Sequence, residues 1–269
     1  MFVLGLLVGS FLNVVIHRLP KMLEADWQYQ CAELRGDAAV MPAAYNLWIP
    51  RSACPSCGHA ISALENIPII SWLALRGRCR SCGSAIGVRY PAVELMAALL
   101  AVAVAWKYGP SMALVGSLVF LWALLALAFI DLDTTLLPDA LTLPLVWLGL
   151  LFNLFGTFTT LQSAVIGAMA GYISLWLVYW SFKLLTGKEG MGYGDFKLLA
   201  AIGAWLGWEL LPVTILLSSL VGALAGLLMI ALVRHDRRIP IPFGPYLAGG
   251  GMVALFFGAD LIRAYLARV

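Results

Sequence analysis

Long apolar runs separated by short polar clusters fill the chain, so the first question is which runs can cross a bilayer. A hydrocarbon core about 30 Å thick takes roughly 20 apolar residues wound as a helix, and a backbone in lipid must satisfy its own hydrogen bonds. Windows of that kind recur over 2–17, 91–107, 112–130, 140–156, 163–185, 196–208, 211–233 and 244–267. The pattern predicts an all-α polytopic membrane protein with about eight transmembrane helices. The first and sixth windows are short for a full span, and only Glu209 and Pro212 separate the sixth from the seventh. The opening "MFVLGLLVGSFLNVVIHRLP" has no basic residue ahead of its apolar run and no small-x-small cleavage site before Arg18. It reads as a retained helix and not as a signal peptide.

Composition narrows the class. A 269-residue chain that is 62% hydrophobic, 12% charged and has a mean hydropathy of +0.92 belongs in a bilayer and not among soluble globular domains. Charge then sets orientation. If eight spans alternate sides, the loops 18–90, 131–139, 186–195 and 234–243 share one compartment. Of the 17 lysines and arginines, all but Lys107, Arg263 and Arg268 lie in or border those loops. Basic loops stay in the cytoplasm, which puts the 18–90 loop there and both termini outside. The net charge of +3 reports topology and is not a nucleic-acid footprint. The chain divides on this reading into a first helix over 1–17, a cytoplasmic loop over 18–90 and a membrane-embedded region over 91–269.

The large loop carries an internal repeat, "CPSCGHAIS" at 54–62 and "CRSCGSAIG" at 79–87. Cys54 and Cys57 form one C-x2-C, Cys79 and Cys82 the other. Two such knuckles can bring four thiolates to one tetrahedral zinc ion, with a glycine after each second Cys for the tight turn. Disulfides compete, but cytoplasmic thiols stay reduced. Four thiolates fill the coordination sphere and leave no open position for water, so the expected role is structural. Cys31 stands alone as an unpaired thiol. Residues 21–50 read as a partly amphipathic, interfacial or poorly ordered segment without assigned chemistry.

Carboxylates are informative where the membrane makes them costly, about 2.5–3.5 kcal/mol at a helix centre on insertion scales. "FIDLDTTLLPDALTLP" holds three at the end of the third window and the entry to the fourth. Asp139, after Pro138, reads as a helix cap, and Asp133 as facing the headgroups. Asp131 is the deepest. Asp195 holds the matching position in "GMGYGDFK", where it too has a capping alternative, with glycines that allow φ > 0 or close backbone approach. "GKEGMGYGDFK" lacks the G-K-[ST] ending of a phosphate loop. Two aspartates at the same end of two spans can meet once the helices bundle. Such a pair holds one proton between two carboxyls, so that one activates water while the other protonates a carbonyl.

"DLDTTLLPD", "GMGYGDFK", the paired C-x2-C loop, "GSFLNVVIHRLP" and "RYPAVEL" together resemble the bacterial type IV prepilin peptidases, bifunctional leader peptidases and N-methyltransferases of the GxGD intramembrane aspartic protease type. The resemblance covers nearly the whole chain. It implies Asp131 and Asp195 as the catalytic aspartates, with Gly192, Gly194, Lys197 and Asp139 in support. It also implies Cys54, Cys57, Cys79 and Cys82 as zinc ligands and S-adenosylmethionine as methyl donor. Implied substrates are prepilins and the pseudopilins of type II secretion, cut at the cytoplasmic face of the inner membrane between a Gly-ending basic leader and an aromatic residue. The partners are thus these proteins and the lipid bilayer, with no nucleic acid. No G-x-G-x-x-G follows a strand, so methyl transfer rests on the resemblance alone, with Asn13, Glu65 and Glu94 as polar anchors. The family usually has a somewhat longer N-terminus than "MFVLGLLVGS" provides, a departure that touches the first span and leaves the peptidase motifs as they are. The rival readings are an ion- or proton-coupled transporter, with the aspartates as a relay, and a non-catalytic assembly factor built on the zinc loop.

Overall fold

The computed structural model describes residues 1–36, 45–233 and 242–267. These are helical apart from turns and two isolated bridges, and they form two compact units, Met1–Pro110 and Ser111–Val269.

The first unit is built on α1 (Phe2–Arg35) and α3 (Arg89–Tyr108), with one turn of helix, α2 (Ile70–Ala74), between them. The first helix does not stop at residue 17. Pro20 removes one i→i−4 hydrogen bond, but "KMLEADWQYQCAELR" consists largely of good helix formers and carries α1 on to a left-handed Gly36 (φ 74°), whose N–H bonds the Ala32 and Glu33 carbonyls. Of residues 21–50, read from sequence as partly amphipathic, interfacial or poorly ordered, 21–35 are therefore helix, and 37–44 lie outside the described residues. At 1.5 Å per residue, the 34 residues of α1 extend about 50 Å, well beyond one hydrocarbon core. The helix over 91–107, grouped by sequence with the C-terminal region, packs on α1. Contact is close because Gly5 and Gly9 face it: a Cβ on Gly9 would lie 2.6 Å from the Glu94 Cα and 3.0 Å from the Ala97 Cβ. Small residues at that spacing let two helices in lipid bring their backbones together.

The second unit comprises α4 (Met112–Thr134), α5 (Asp139–Leu154), α6 (Leu161–Thr186), α7 (Tyr193–Leu206), α8 (Leu211–Val233) and α9 (Gly244–Leu266), with a 3₁₀ turn at Trp208–Leu210. Helix α7 is its centre, and Phe196, Leu198, Leu199, Ala201, Ile202, Ala204 and Trp205 are all fully buried. Its 14 residues reach about 21 Å, less than the roughly 30 Å of a hydrocarbon core. It is sheathed by α5, α6, α8 and α9 instead of lipid, which explains why the sixth window reads short. The α6–α7 seam closes at Gly167 and Gly203, where the carbonyl of each occupies the space a Cβ on the other would need. At the far end Asn153 donates to the Ala204 and Trp205 carbonyls at 2.8 and 2.9 Å and ties off the last turn of α7.

Among the described residues six helices are long and apolar enough to span: Phe2–Arg35, Arg89–Tyr108, Met112–Thr134, Leu161–Thr186, Trp208–Met229 and Gly244–Ala264. Helix α5 is apolar but shorter, at 16 residues.

Candidate functional site

One end of the second unit gathers the last turn of α4 and the first turns of α5, α7 and α9. Each is placed there by a break in the apolar pattern. Helix α4 ends at Thr135 (φ 53°), the chain turns over Leu136–Pro138, and α5 begins at Asp139. Asp131, 5% exposed, lies one turn inside α4. Its Oδ2 accepts the N–H of Gly244, the first residue of α9, at 3.0 Å. A Cβ on Gly244 would stand 2.6 Å from that same oxygen, so only glycine brings its amide this close.

Asp195 lies in the first turn of α7 and is 6% exposed. Its carboxyl and that of Asp131 are buried at the same end of the unit, and like charges so placed disfavour one another's ionisation. The site thus holds two buried carboxyls from different helices.

The neighbouring motif residues behave differently from the sequence reading. Neither aspartate is itself the N-cap, which is Gly192 on α7 and Pro138 on α5; the Asp195 carboxyl, in the first turn, accepts from the Gly192 amide. The Asp139 carboxylate turns instead to Lys197, whose Nζ donates to both oxygens at 2.6 and 2.7 Å. A lysine across the helix seam is a stronger partner than an amide that water can also reach. Lys197 therefore joins α7 to α5. Nor do the glycines of "GMGYGD" adopt positive φ. Gly192 is extended (φ −83°, ψ 154°), with open space around it. Gly194 is where close approach matters, because a Cβ there would lie 2.6 Å from the Leu137 Cβ of the α4–α5 turn. Asp133 is exposed.

Two features were missed from sequence. The first is Gly244, whose signal was "PFGP" at the head of the last apolar run, where a Pro-flanked glycine marks a helix start that must approach something closely. The second is an aromatic wall beside Asp195: Tyr193 packs on Tyr179 and Phe196 with ring centroids 5.2 and 5.4 Å away. Helical spacing on α6 made those aromatics indistinguishable from ordinary core.

In the first unit the two cysteine knuckles are near-copies. The Cys54 and Cys79 carbonyls each accept from the glycine four residues on, Gly58 and Gly83, at 2.9 Å. Those glycines take φ of 71° and 70°, which a β-carbon disfavours. All four Sγ atoms lie within 4.8 Å of one another, with Cys54–Cys82 at 3.8 Å and Cys57–Cys79 at 4.0 Å. A tetrahedron with metal–sulfur bonds near 2.3 Å has edges of about 3.8 Å, so the four thiols can hold one metal ion. Ser84 Oγ lies 3.1 Å from Cys82 Sγ and 3.6 Å from Cys54 Sγ. Its hydroxyl, with the amides of Ser56 and Cys57, lowers the Cys54 thiol to about 6, toward the thiolate a metal requires.

The three polar anchors separate. Asn13 donates to the Tyr90 carbonyl at 3.0 Å. Glu65 closes a turn in the cysteine loop: the Ser62 amide donates to it at 2.8 Å. That amide, the Ser62 hydroxyl and His59 hold the carboxyl down at about 2. Glu94, 8% exposed, accepts the Ile69 amide at 2.7 Å.

Comparison with known proteins follows the same division. Residues 3–108 match the family described as "Bacterial Peptidase A24 N-terminal domain", and residues 118–227 match "Type IV leader peptidase family". The "Prepilin leader peptidase/N-methyltransferase" of Aeromonas hydrophila is 61% identical over 98% of this chain and 92% of its own length. Proteins of that name from Aeromonas salmonicida (strain A449), 58% identical over 100% of this chain and 93% of theirs, and from Pseudomonas aeruginosa, 58% identical over 98% and 91%, are similar to the same extent. No solved structure matches the chain.

Proposed function

The chain belongs to the type IV leader peptidase family, and from that premise we propose that Asp131 and Asp195 are the catalytic pair of a prepilin leader peptidase whose second activity is N-methylation of the new N-terminus. The observation that carries the peptidase half is two buried carboxyls at the same end of the second unit, on the last turn of α4 and the first turn of α7.

The chemistry follows from that arrangement. One carboxylate takes a proton from water as the oxygen attacks the scissile carbonyl, and the other carboxyl gives its proton to the carbonyl oxygen. The gem-diol intermediate then collapses: the C–N bond breaks, the proton taken from water passes to the leaving amine, and one diol hydroxyl returns its proton to the carboxylate that had protonated the carbonyl, leaving a carboxylic acid and the pair as it began. The proton inventory belongs to the pair and not to either residue. Gly244 holds Asp131 in one orientation, and the Asp139–Lys197 bridge holds the first turn of α7 against α5. A substrate whose apolar helix begins just after its leader presents its scissile bond at the membrane edge. Carboxyls at helix ends meet it at that depth.

The excess of Lys and Arg in these loops supports an edge on the cytoplasmic side of the inner membrane, with prepilins and type II pseudopilins as substrates. Cys54, Cys57, Cys79 and Cys82 hold a zinc ion that cross-links the two knuckles, a structural role because no ligand position is left for water. S-adenosylmethionine is the methyl donor. Two acids at one end of a unit do not form a relay across the midplane, which weighs against transport.

Cleavage of a prepilin in liposomes by the wild type, Asp131→Asn and Asp195→Asn tests the pair, with folding and zinc content measured in each sample. Both variants are expected to lose cleavage while keeping fold and metal. Cleavage by either well-folded variant would remove that aspartate from the chemistry.

A further inference from the structure

Glu94 is a buried carboxyl that the peptide cleavage does not use. It lies in the second turn of α3, 8% exposed, in the seam where Gly9 lets α1 approach. A carboxyl in such a place is costly and is normally retained for function. Its two donors are neutral, the Ile69 amide at 2.7 Å and the Ser10 hydroxyl. Ile69 meets it with a backbone at φ 59°, ψ −47°, a region that a β-branched side chain avoids and that persists only where the surroundings enforce it.

Ser10 also lines an open groove of about 270 Å³, with Phe11, Arg18, Trp48, Asn66 and Pro68. The rings of Phe11 and Trp48 stack 5.8 Å apart at 27°, and Trp48 is 76% exposed. Arg18, the charged residue of the lining, is buried and engaged by the Asn46 carbonyl at 2.9 Å and the Tyr45 ring; an acid reached through a hydroxyl, beside aromatic faces open to solvent, then suits an organic cation, since π faces and a carboxylate both attract positive charge. Methyl transfer to an N-terminus brings two such centres together: the primary ammonium of the cleaved protein and the methyl-bearing sulfonium of the donor.

We propose that Glu94, reached through Ser10 from the Phe11–Trp48 groove, is the anionic subsite for the cationic centre of the methyl-transfer step. This rests on the methyltransferase reading above. Glu94→Gln is the sharpest test, because a glutamine carbonyl still accepts the Ile69 amide while the charge is gone. A merely structural Glu94 would therefore tolerate it.

The experiment uses the full-length, zinc-loaded protein in liposomes, with a prepilin substrate, and weighs the product for cleavage and for the added methyl group. Binding of S-adenosylmethionine and of S-adenosylhomocysteine, the uncharged thioether, is titrated alongside. Glu94→Gln is expected to lower methylation at least tenfold relative to cleavage in the same sample. If the variant also weakens S-adenosylmethionine but not the thioether, the sulfonium is the cation held. If donor binding is unchanged and the KM for cleaved protein rises, it is the ammonium. Trp48→Ala, at a position 76% exposed, is expected to weaken the same step. Wild-type methylation by well-folded Glu94→Gln, or by Trp48→Ala should Glu94→Gln misfold, overturns the proposal. Cleavage without any methylation by the wild type would instead overturn the methyltransferase reading itself.

Discussion

Replacing Gly244 with Ala tests whether α9 sets the Asp131 carboxylate. The added Cβ would lie 2.6 Å from Oδ2 and 3.1 Å from Cγ of Asp131, both inside van der Waals contact. Either the carboxylate rotates or the first turn of α9 retreats, and both lose the 3.0 Å hydrogen bond from the Gly244 amide. A hydrogen bond to a charged group contributes about 1.5–3 kcal/mol, so kcat should fall roughly 10- to 100-fold at about 1.4 kcal/mol per factor of ten. Overpacking adds about 1–3 kcal/mol of destabilisation. Cleavage kinetics read the first effect, and thermal unfolding in detergent reads the second. A double-mutant cycle with Asp131→Ala isolates the contact, because removing the carboxylate clears the space for the new methyl group. Gly244→Ala should then cost about 1 kcal/mol or more less in the Asp131→Ala background than in the wild type. Equal cost in both backgrounds, or undiminished cleavage by folded Gly244→Ala, would refute the reasoning.

Three further expectations follow from the geometry. Asp139→Asn removes the partner of Lys197, but the two side chains are 55% and 27% exposed. Stability should drop by no more than about 1 kcal/mol and cleavage by less than about tenfold, and a loss as complete as that of Asp195→Asn would place Asp139 in the chemistry. Gly167→Ala pushes a methyl group into the Gly203 carbonyl, which should destabilise the second unit by about 3 kcal/mol or more; unfolding within a degree or two of the wild type would show that α6 can step away from α7. Elemental analysis should find one zinc per chain in the wild type and little in Cys54→Ser, with protease cleavage appearing between residues 50 and 88, whereas full zinc in that variant would remove Cys54 from the metal site.

The helices were legible because hydrophobic length and breaks are local properties. Each of the eight apolar windows contains a helix, and the C-x2-C pairs announced their turns through the glycines that follow them. What the windows could not show is what covers each helix. Apolar residues facing lipid and apolar residues facing protein look alike, so the sequence did not show that α7 is the sheathed centre of the second unit. The same limit concealed the continuation of α1 past Pro20, where polar residues with high helix propensity resemble a loop.

The candidate site divides in the same way. Asp131 and Asp195 stood out in sequence because carboxylates beside long apolar runs are expensive and therefore informative, and four cysteines in two matched knuckles fit one tetrahedral ion on spacing alone. Partner choice was beyond that reasoning. Asp139 and Lys197 are 58 residues apart, and Gly244 follows Asp131 by 113. No local rule says that a carboxylate will reject a helix cap for a distant lysine, or that a glycine serves a remote aspartate and not its own turn. The residues carry the chemistry and the costs of burial, but only the packed helices settle which donor reaches which oxygen, because that depends on distances of a few ångströms between segments far apart in the chain.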